Sequence, residues 1–158
     1  MAYKVFISHS ARDQGLVVSL ANLLTKFGAE VIVAEWYLTP GARIDEKVSK
    51  QIRDSDCVIV LLTKNGVRSS WVQQEIGLAI NGNKLIIPLV EKRTGAKDLA
   101  ALQGKEYIEY DPSQPQQALA KASEYVNSLK LKKEEQQKKL MVAGAILAFL
   151  LLLSGGEK

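Results

Sequence analysis

The pair Trp71 and Glu75 is the part of this sequence whose residue types and spacing are best suited to chemistry. The two residues are four positions apart, directly after Ser69 and Ser70. Ser70 and Gln73 have the spacing of a capping box, which predicts that a helix begins at Ser70. Residues four apart share a helix face, so the indole and the carboxylate can project into one cleft. A flat aromatic ring beside an acid suits a ligand that carries a planar ring and a sugar.

A structural interpretation of the same pair stays open at this point. A tryptophan in the first turn of a helix usually packs in the core, and a glutamate one turn later is usually solvated. The elements around the pair decide between the two interpretations.

Ser8 and His9 are a second group of polar residues, at the end of the first apolar run. Adjacent residues of a strand point to opposite faces, so these two are poorly placed as a nucleophile and its base. We expect His9 to make a local hydrogen bond at the strand end. The chain has one histidine and one cysteine, Cys57, which argues against a structural zinc site and excludes an internal disulfide.

Two glycine-rich signatures are absent from the sequence. No GxGxxG follows the first strand and no GxxxxGK[ST] occurs, which excludes the usual redox dinucleotide fold and hydrolysis of ATP or GTP by a P-loop. A response-regulator receiver has a similar order of strands and helices. It needs an acidic cluster after the first strand, where this chain has Ser8, His9 and Ser10.

Apolar strands alternate with helices along the chain, and this order predicts a parallel sheet covered by helices on both faces. The predicted strands are 4–9, 31–34, 57–62, 84–90 and 106–110, and the predicted helices centre on 16–27, 44–52, 70–80 and 119–129. The fold class is therefore α/β, a flavodoxin-like five-stranded parallel sheet followed by a C-terminal apolar helix. Ligands of such sheets bind beyond the carboxyl ends of the strands, which is where the 63–69 loop leads into Trp71 and Glu75.

Composition places the chain among ordinary globular proteins. Its 158 residues suffice for one domain with a sizeable core, and 47% are apolar and 24% charged. The net charge of +4 is too small to argue for a nucleic-acid partner. The first residues run straight into a strand, so we expect no signal peptide.

The segment from 140 to 153 is apolar and without charge, and small residues follow it up to 156. As a helix, 140–156 would be about 25 Å long, against a hydrocarbon core of about 30 Å in a bilayer. This run lies beyond the expected core, and Lys138 and Lys139 could snorkel at its start. We predict a transmembrane tail anchor at 140–156, a charged helical linker at 129–139 and a cytoplasmic domain at 1–128. Packing of the apolar helix against a partner or another copy is the alternative.

Four segments together resemble the Toll/interleukin-1 receptor (TIR) domain family, over roughly residues 2–128. Residues 5–9 (VFISH) look like the first box of the family, and 35–41 (EWYLTPG) resemble the loop after the second strand in microbial members. Residues 55–63 resemble the third strand and its approach, and 70–75 (SWVQQE) match the W-x-x-x-E stretch of the enzymatic members.

The resemblance implies an enzyme that breaks the bond between nicotinamide and ribose in NAD+. Glu75 would be its catalytic residue, NAD+ would be a substrate, and neither a cofactor nor a metal is implied. The residues expected to contact the substrate are Trp71, Ser8, His9 and Glu35. Neighbouring copies would associate through an assembly loop formed by Trp36, Tyr37, Pro40 and Gly41. The product would be ADP-ribose or a cyclic ADP-ribose, used in immune or cell-death signalling.

The chain departs from the family pattern at several positions. Many microbial members carry an aspartate where this chain has Ala34, and Ser10 and Ala11 precede the first basic residue, Arg12. A Phe-Trp box near the last helix of the domain is absent. Because Ala34 removes one possible ribose or loop contact, slow turnover is expected. Two other functions stay open: a non-catalytic TIR–TIR scaffold or adaptor, and an effector whose gathered apolar tails disturb a membrane.

Overall fold

The described part of the chain contains a sheet of five parallel strands, and this sheet holds the candidate residues in place. The structure is a computed structural model, and it describes residues 2–33, 44–94 and 106–155. The strands are β1 (Lys4–Ser8), β2 (Glu30–Val33), β3 (Cys57–Leu62), β4 (Leu85–Glu91) and β5 (Ile108–Tyr110). Their order is β2-β1-β3-β4-β5, with every neighbouring pair parallel.

Four α-helices connect or follow the strands in the described residues. They are α1 (Gln14–Lys26), α2 (Ile44–Arg53), α3 (Ser70–Asn81) and α4 (Pro115–Gly155). Short 3-10 turns precede α1 at Ala11–Asp13 and α3 at Gly66–Arg68. The chain leaves α1 through Gly28, whose φ of +84° lies in the left-handed region that glycine adopts without strain.

The sheet separates two apolar cores. On one face, Val5 and Ile7 of β1 pack with α1 and the first part of α4. On the other face, Phe6 packs with α2 and α3. All six residues of β3 are fully buried because both of its faces are covered. Burying one large aliphatic side chain contributes about 1.5–3 kcal/mol, so the central strand is a main source of stability.

The fold class predicted from the sequence is confirmed, and most element bounds agree within two residues. The last strand is shorter than expected, three residues long at Ile108–Tyr110. Cys57 is a buried thiol at the start of β3, and burial raises its pKa to about 12. It is therefore a small core residue and not a reactive one.

Helix α4 includes the helix, the helical linker and the apolar helix expected from the sequence, because it continues without a break to Gly155. Its first turns bury a stripe against the sheet, formed by Ala118, Leu119, Ala122, Ser123 and Val126. Further along, Lys133 donates from Nζ to Asp56 Oδ1 at 2.8 Å and lies 5.8 Å from the centre of the Tyr3 ring. The segment predicted as a linker, 129–139, therefore still contacts the domain at Lys133.

The remainder of α4 projects away from the domain. Every residue from Lys138 to Gly155 is exposed, and an 18-residue window of the helix has a mean hydropathy of 1.8 with none of it buried. By length and composition this helix could cross a membrane.

Candidate active site

Helix α3, which carries Trp71 and Glu75, begins at Ser70 as predicted, but its cap is a different serine. The Oγ atom of Ser69 accepts a hydrogen bond from the backbone N–H of Val72 at 3.3 Å. Ser69 has the extended backbone of an N-cap, so the capping box proposed for Ser70 and Gln73 is wrong. The side chain of Gln73 instead donates to the carbonyl of Val67 at 3.5 Å.

Glu75 lies on the inner face of α3. Its side chain is 0% exposed and is flanked along the helix by the buried residues Val72, Ile76 and Ala79. The solvated glutamate of the structural interpretation is therefore excluded. Trp71, one turn earlier, is 42% exposed, so it is not the core tryptophan of that interpretation either.

Ser8 ends β1 and is also fully buried. Because side chains alternate along a strand, Ser8 lies on the same face as Phe6, which packs with α3. Its Oγ atom has no hydrogen-bond partner among the residues that the structure describes. The structure thus places Ser8 on the side of the sheet that α3 covers, and Glu75 lies on the inner face of that helix.

His9 is held by local hydrogen bonds, as the sequence predicted. Its Nδ1 donates to the carbonyl of Ile7 at 3.3 Å, and its Nε2 accepts from the side-chain amide of Gln14 at 3.4 Å. This pattern needs a neutral ring with the proton on Nδ1, since a carbonyl only accepts. Burial lowers the pKa of His9, which keeps the ring neutral, although Ile7 and Asp13 act in the opposite direction.

A hydrogen-bond network around Asp13 ties the loop after β1 to the loop after β3. Thr63 Oγ1 donates to Asp13 Oδ2 at 2.5 Å, and Asn65 Nδ2 donates to Asp13 Oδ1 at 3.0 Å. The backbone N–H of Gly66 donates to Thr63 Oγ1 at 3.0 Å. These contacts fix the segment that leads into α3. Sequence reasoning missed them because the partners are 50 and 52 positions apart, with no local signal.

The remaining predicted residues lie outside the described part of the chain. Glu35 and the assembly loop of Trp36, Tyr37, Pro40 and Gly41 fall within 34–43. Their roles stay predictions.

The described groups can perform only some kinds of chemistry. Within 2–33, 44–94 and 106–155, no three His, Cys, Asp or Glu side chains cluster as metal ligands would. His9 is engaged at both nitrogens and cannot at the same time serve Ser8 as a base. A buried carboxylate on the inner face of a helix can instead stabilise positive charge that develops on a bound substrate.

Comparison with known proteins gives the same family that the motifs indicated. Residues 5–123 match the model of the TIR domain family. The chain is 32% identical over 97 residues to a 2' cyclic ADP-D-ribose synthase, AbTIR, of Acinetobacter baumannii, a match that covers 58% of this chain and 36% of the relative. It is 29% identical over 93 residues to the NAD(+) hydrolase TcpC of Escherichia coli, covering 55% of this chain and 30% of that protein. The chain thus spans about a third of the length of these curated relatives.

Solved structures show the same fold. The RPS4 and RRS1 TIR domain heterodimer superimposes with a TM-score of 0.63 at 12% identity, covering 81% of this chain and 99% of the other. The five-stranded parallel sheet with its flanking helices is therefore shared with known TIR domains.

Proposed function

We propose, since this chain belongs to the TIR domain family, that it is an enzyme that cleaves NAD+ between nicotinamide and ribose. The observation that carries the proposal is the complete burial of Glu75 on the inner face of α3. Burying a carboxylate costs free energy even where it has polar partners, so burial of apolar surface gives no reason for a glutamate there. Strained or costly groups of this kind concentrate at functional sites.

The proposed chemistry needs one carboxylate and no strong base. The bond between ribose C1' and the nicotinamide nitrogen breaks, and its electron pair leaves with nicotinamide, which becomes neutral. The ribose acquires oxocarbenium character, which the negative charge of Glu75 stabilises. The exposed indole of Trp71 offers a face to a ring or to the developing cation. Ser8, His9 and Glu35 are proposed to contact the substrate.

Two products are compatible with this cation. Attack by water gives ADP-ribose, and attack by a hydroxyl of the same molecule gives a cyclic ADP-ribose; in both, the attacking oxygen loses a proton. One curated relative is named as a synthase of the cyclic product and another as a hydrolase. Chromatographic separation of the products of this chain distinguishes the two outcomes.

The direct test is nicotinamide release by the Glu75→Gln variant. Glutamine keeps the size of the side chain and removes its charge, so we expect the rate to fall by about 10²–10³ in a folded protein. Glu124→Gln, a matched change at an exposed position of α4, should leave the rate unchanged. Undiminished turnover in folded Glu75→Gln protein would reject the assignment of Glu75.

We also propose that the active form is an assembly of several copies. The resemblance supports contacts through Trp36, Tyr37, Pro40 and Gly41, and one TIR structure similar to this chain is itself a heterodimer. Specific activity should then rise with protein concentration, and Pro40→Ala should flatten that rise. Equal specific activity over a hundredfold range of concentration would point to a self-sufficient monomer.

The apolar end of α4 supports a membrane-bound form of the enzyme. We propose that 140–156 anchors the chain, that 129–139 follows the domain as a charged helix, and that the domain at 1–128 lies in the cytoplasm. The exposure and hydropathy of the described helix up to Gly155 support the anchor. Lysines at 132, 138 and 139 precede the apolar run, as the positive-inside tendency would require for a cytoplasmic domain.

A further inference from the structure

A cleft lies beyond the carboxyl ends of β3, β4 and β5. Its volume is about 630 Å³, within the range of small-molecule sites, and neither Trp71 nor Glu75 lines it. The charged residues that line it are Lys64, Arg68, Glu91, Lys92, Arg93 and Asp111. Ligands of open α/β sheets bind at this end.

Among the described residues that line the cleft, four are cationic and two are acidic, so positive charge is in excess. Lys92 pairs with Asp111 at 3.3 Å. Among the described residues, Lys64, Arg68 and Arg93 form no ion pair. Arginine and lysine gathered at a concave surface attract anions, and the guanidinium group is well shaped for phosphate.

The backbone of Arg93 is strained. Its φ is +66°, in the left-handed region where glycine is the unstrained choice. The turn around it is fixed by Thr94, whose Oγ1 donates to the carbonyl of Glu91 at 2.8 Å. Backbone strain of this kind is concentrated at functional sites.

Glu91, which also lines the cleft, carries a buried acceptor. It ends β4, is 6% exposed and lines the cleft, and its Oε2 has no hydrogen-bond partner within the described part of the chain. A buried acceptor without a partner calls for a donor from elsewhere. In other α/β proteins, an acidic residue near a phosphate site accepts from a ribose hydroxyl.

We propose that this cleft binds a nucleotide through its phosphate and ribose groups, at a site separate from Glu75. Lys64, Arg68 and Arg93 hold the phosphates, and the carboxylate of Glu91 accepts from the ribose hydroxyls. The proposal does not depend on the enzymatic function, because it concerns binding at residues that take no part in cleavage.

Calorimetric titration of the full chain in detergent tests the proposal with ADP, ribose 5-phosphate and pyrophosphate as probes. ADP should bind saturably, and Arg68→Ala and Arg93→Gly should each weaken it at least tenfold. Arg93→Gly also relieves the left-handed backbone, so its melting temperature should not fall, which separates lost binding from lost folding. Glu91→Gln should weaken ADP and ribose 5-phosphate while leaving pyrophosphate unchanged.

Control variants decide where the nucleotide lies. Lys84→Ala and Lys121→Ala remove cations that line a different cleft and should leave ADP binding unchanged, as should Glu75→Gln. The proposed site would be overturned if ADP showed no saturable binding. It would also be overturned if Arg68→Ala and Arg93→Gly bound ADP as tightly as the wild type. Loss of ADP binding in Glu75→Gln would place the nucleotide at the proposed catalytic site around Glu75, and would also overturn the proposal for this cleft. Pyrophosphate binding without ADP binding would reduce it to a site for inorganic anions.

Discussion

At the residue scale, the solvent exposure of Trp71 separates a residue available for binding from one that only packs in the core. An indole that is 42% exposed leaves much of its ring in contact with water. The exposed part of the ring is available to a ligand or to a partner. The same residue in the core would have been explained by folding alone.

We expect Trp71→Ala to impair substrate binding more than folding. Removal of a half-exposed ring should cost about 1–2 kcal/mol of unfolding free energy, while KM for NAD+ rises more than kcat falls. Tyr125→Ala, at a site of similar exposure (45%), is the control for stability. A loss of about 3–5 kcal/mol, typical of a core aromatic, with normal kinetics would show that Trp71 is structural.

His9 should make stability depend on pH. Its pKa lies below the ordinary 6.5 because the ring is buried, so the unfolded chain binds a proton more readily than the native one. Stability should therefore fall as the pH is lowered through about 6.5, by at most about 1.4 kcal/mol per pH unit for one proton.

The measurement is urea unfolding of wild type and His9→Asn between pH 7.5 and 5.5. Asparagine keeps a donor near the Ile7 carbonyl and does not titrate. The free energy of unfolding of the variant should therefore change less steeply with pH than that of the wild type. Parallel slopes for the two proteins would mean that His9 does not carry the effect.

At the scale of elements, close backbone packing fixes the segment between β3 and α3, in addition to its hydrogen bonds. A Cβ atom on Gly66 would lie 2.0 Å from the carbonyl oxygen of Leu61. The close approach leaves no room for any side chain. This segment sets where α3 begins and so where Trp71 and Glu75 lie.

Gly66→Ala should therefore destabilise the protein by about 2 kcal/mol or more, since backbone must move to relieve the overlap. Nicotinamide release per folded molecule should fall as well. Gly15→Ala is the matched control, because a Cβ there meets nothing within 4 Å and helix α1 favours alanine by up to about 1 kcal/mol. Equal unfolding midpoints for the two variants would refute the crowding argument.

The elements differ in how far the sequence predicts them. Strand β3 was predictable because helices cover both of its faces, which leaves an unbroken apolar run at 57–62. The Asp13 network was not, since its hydrogen bonds join distant loops through common polar residues. The charged cleft around Arg93 was also not predicted, because nothing in the sequence indicates a left-handed φ at an arginine.

At the scale of the whole molecule, the last contact described between α4 and the domain is Lys133 with Asp56 and Tyr3. Removal of all residues after Lys139 should therefore leave a folded protein that is soluble without detergent. Its unfolding midpoint should equal that of the full chain, because the lost segment is exposed.

Fractionation completes this test. The full chain should remain with membranes after a carbonate wash, and the truncated chain should not. Tethering the truncated protein to vesicles should restore activity lost on dilution, since confinement to a surface raises the effective concentration. A full chain that washes off freely would replace the anchor with a protein contact.

The path of α4 determines which end of the sheet would face a membrane. The helix starts beyond the carboxyl end of β5 and passes Asp56, next to the amino end of β3, before it leaves the domain. At 1.5 Å per residue its full length is about 60 Å. A bilayer around its apolar end would therefore face the amino ends of the strands. NAD+ would reach the opposite end without passing lipid headgroups, and each product molecule would leave directly into open solution.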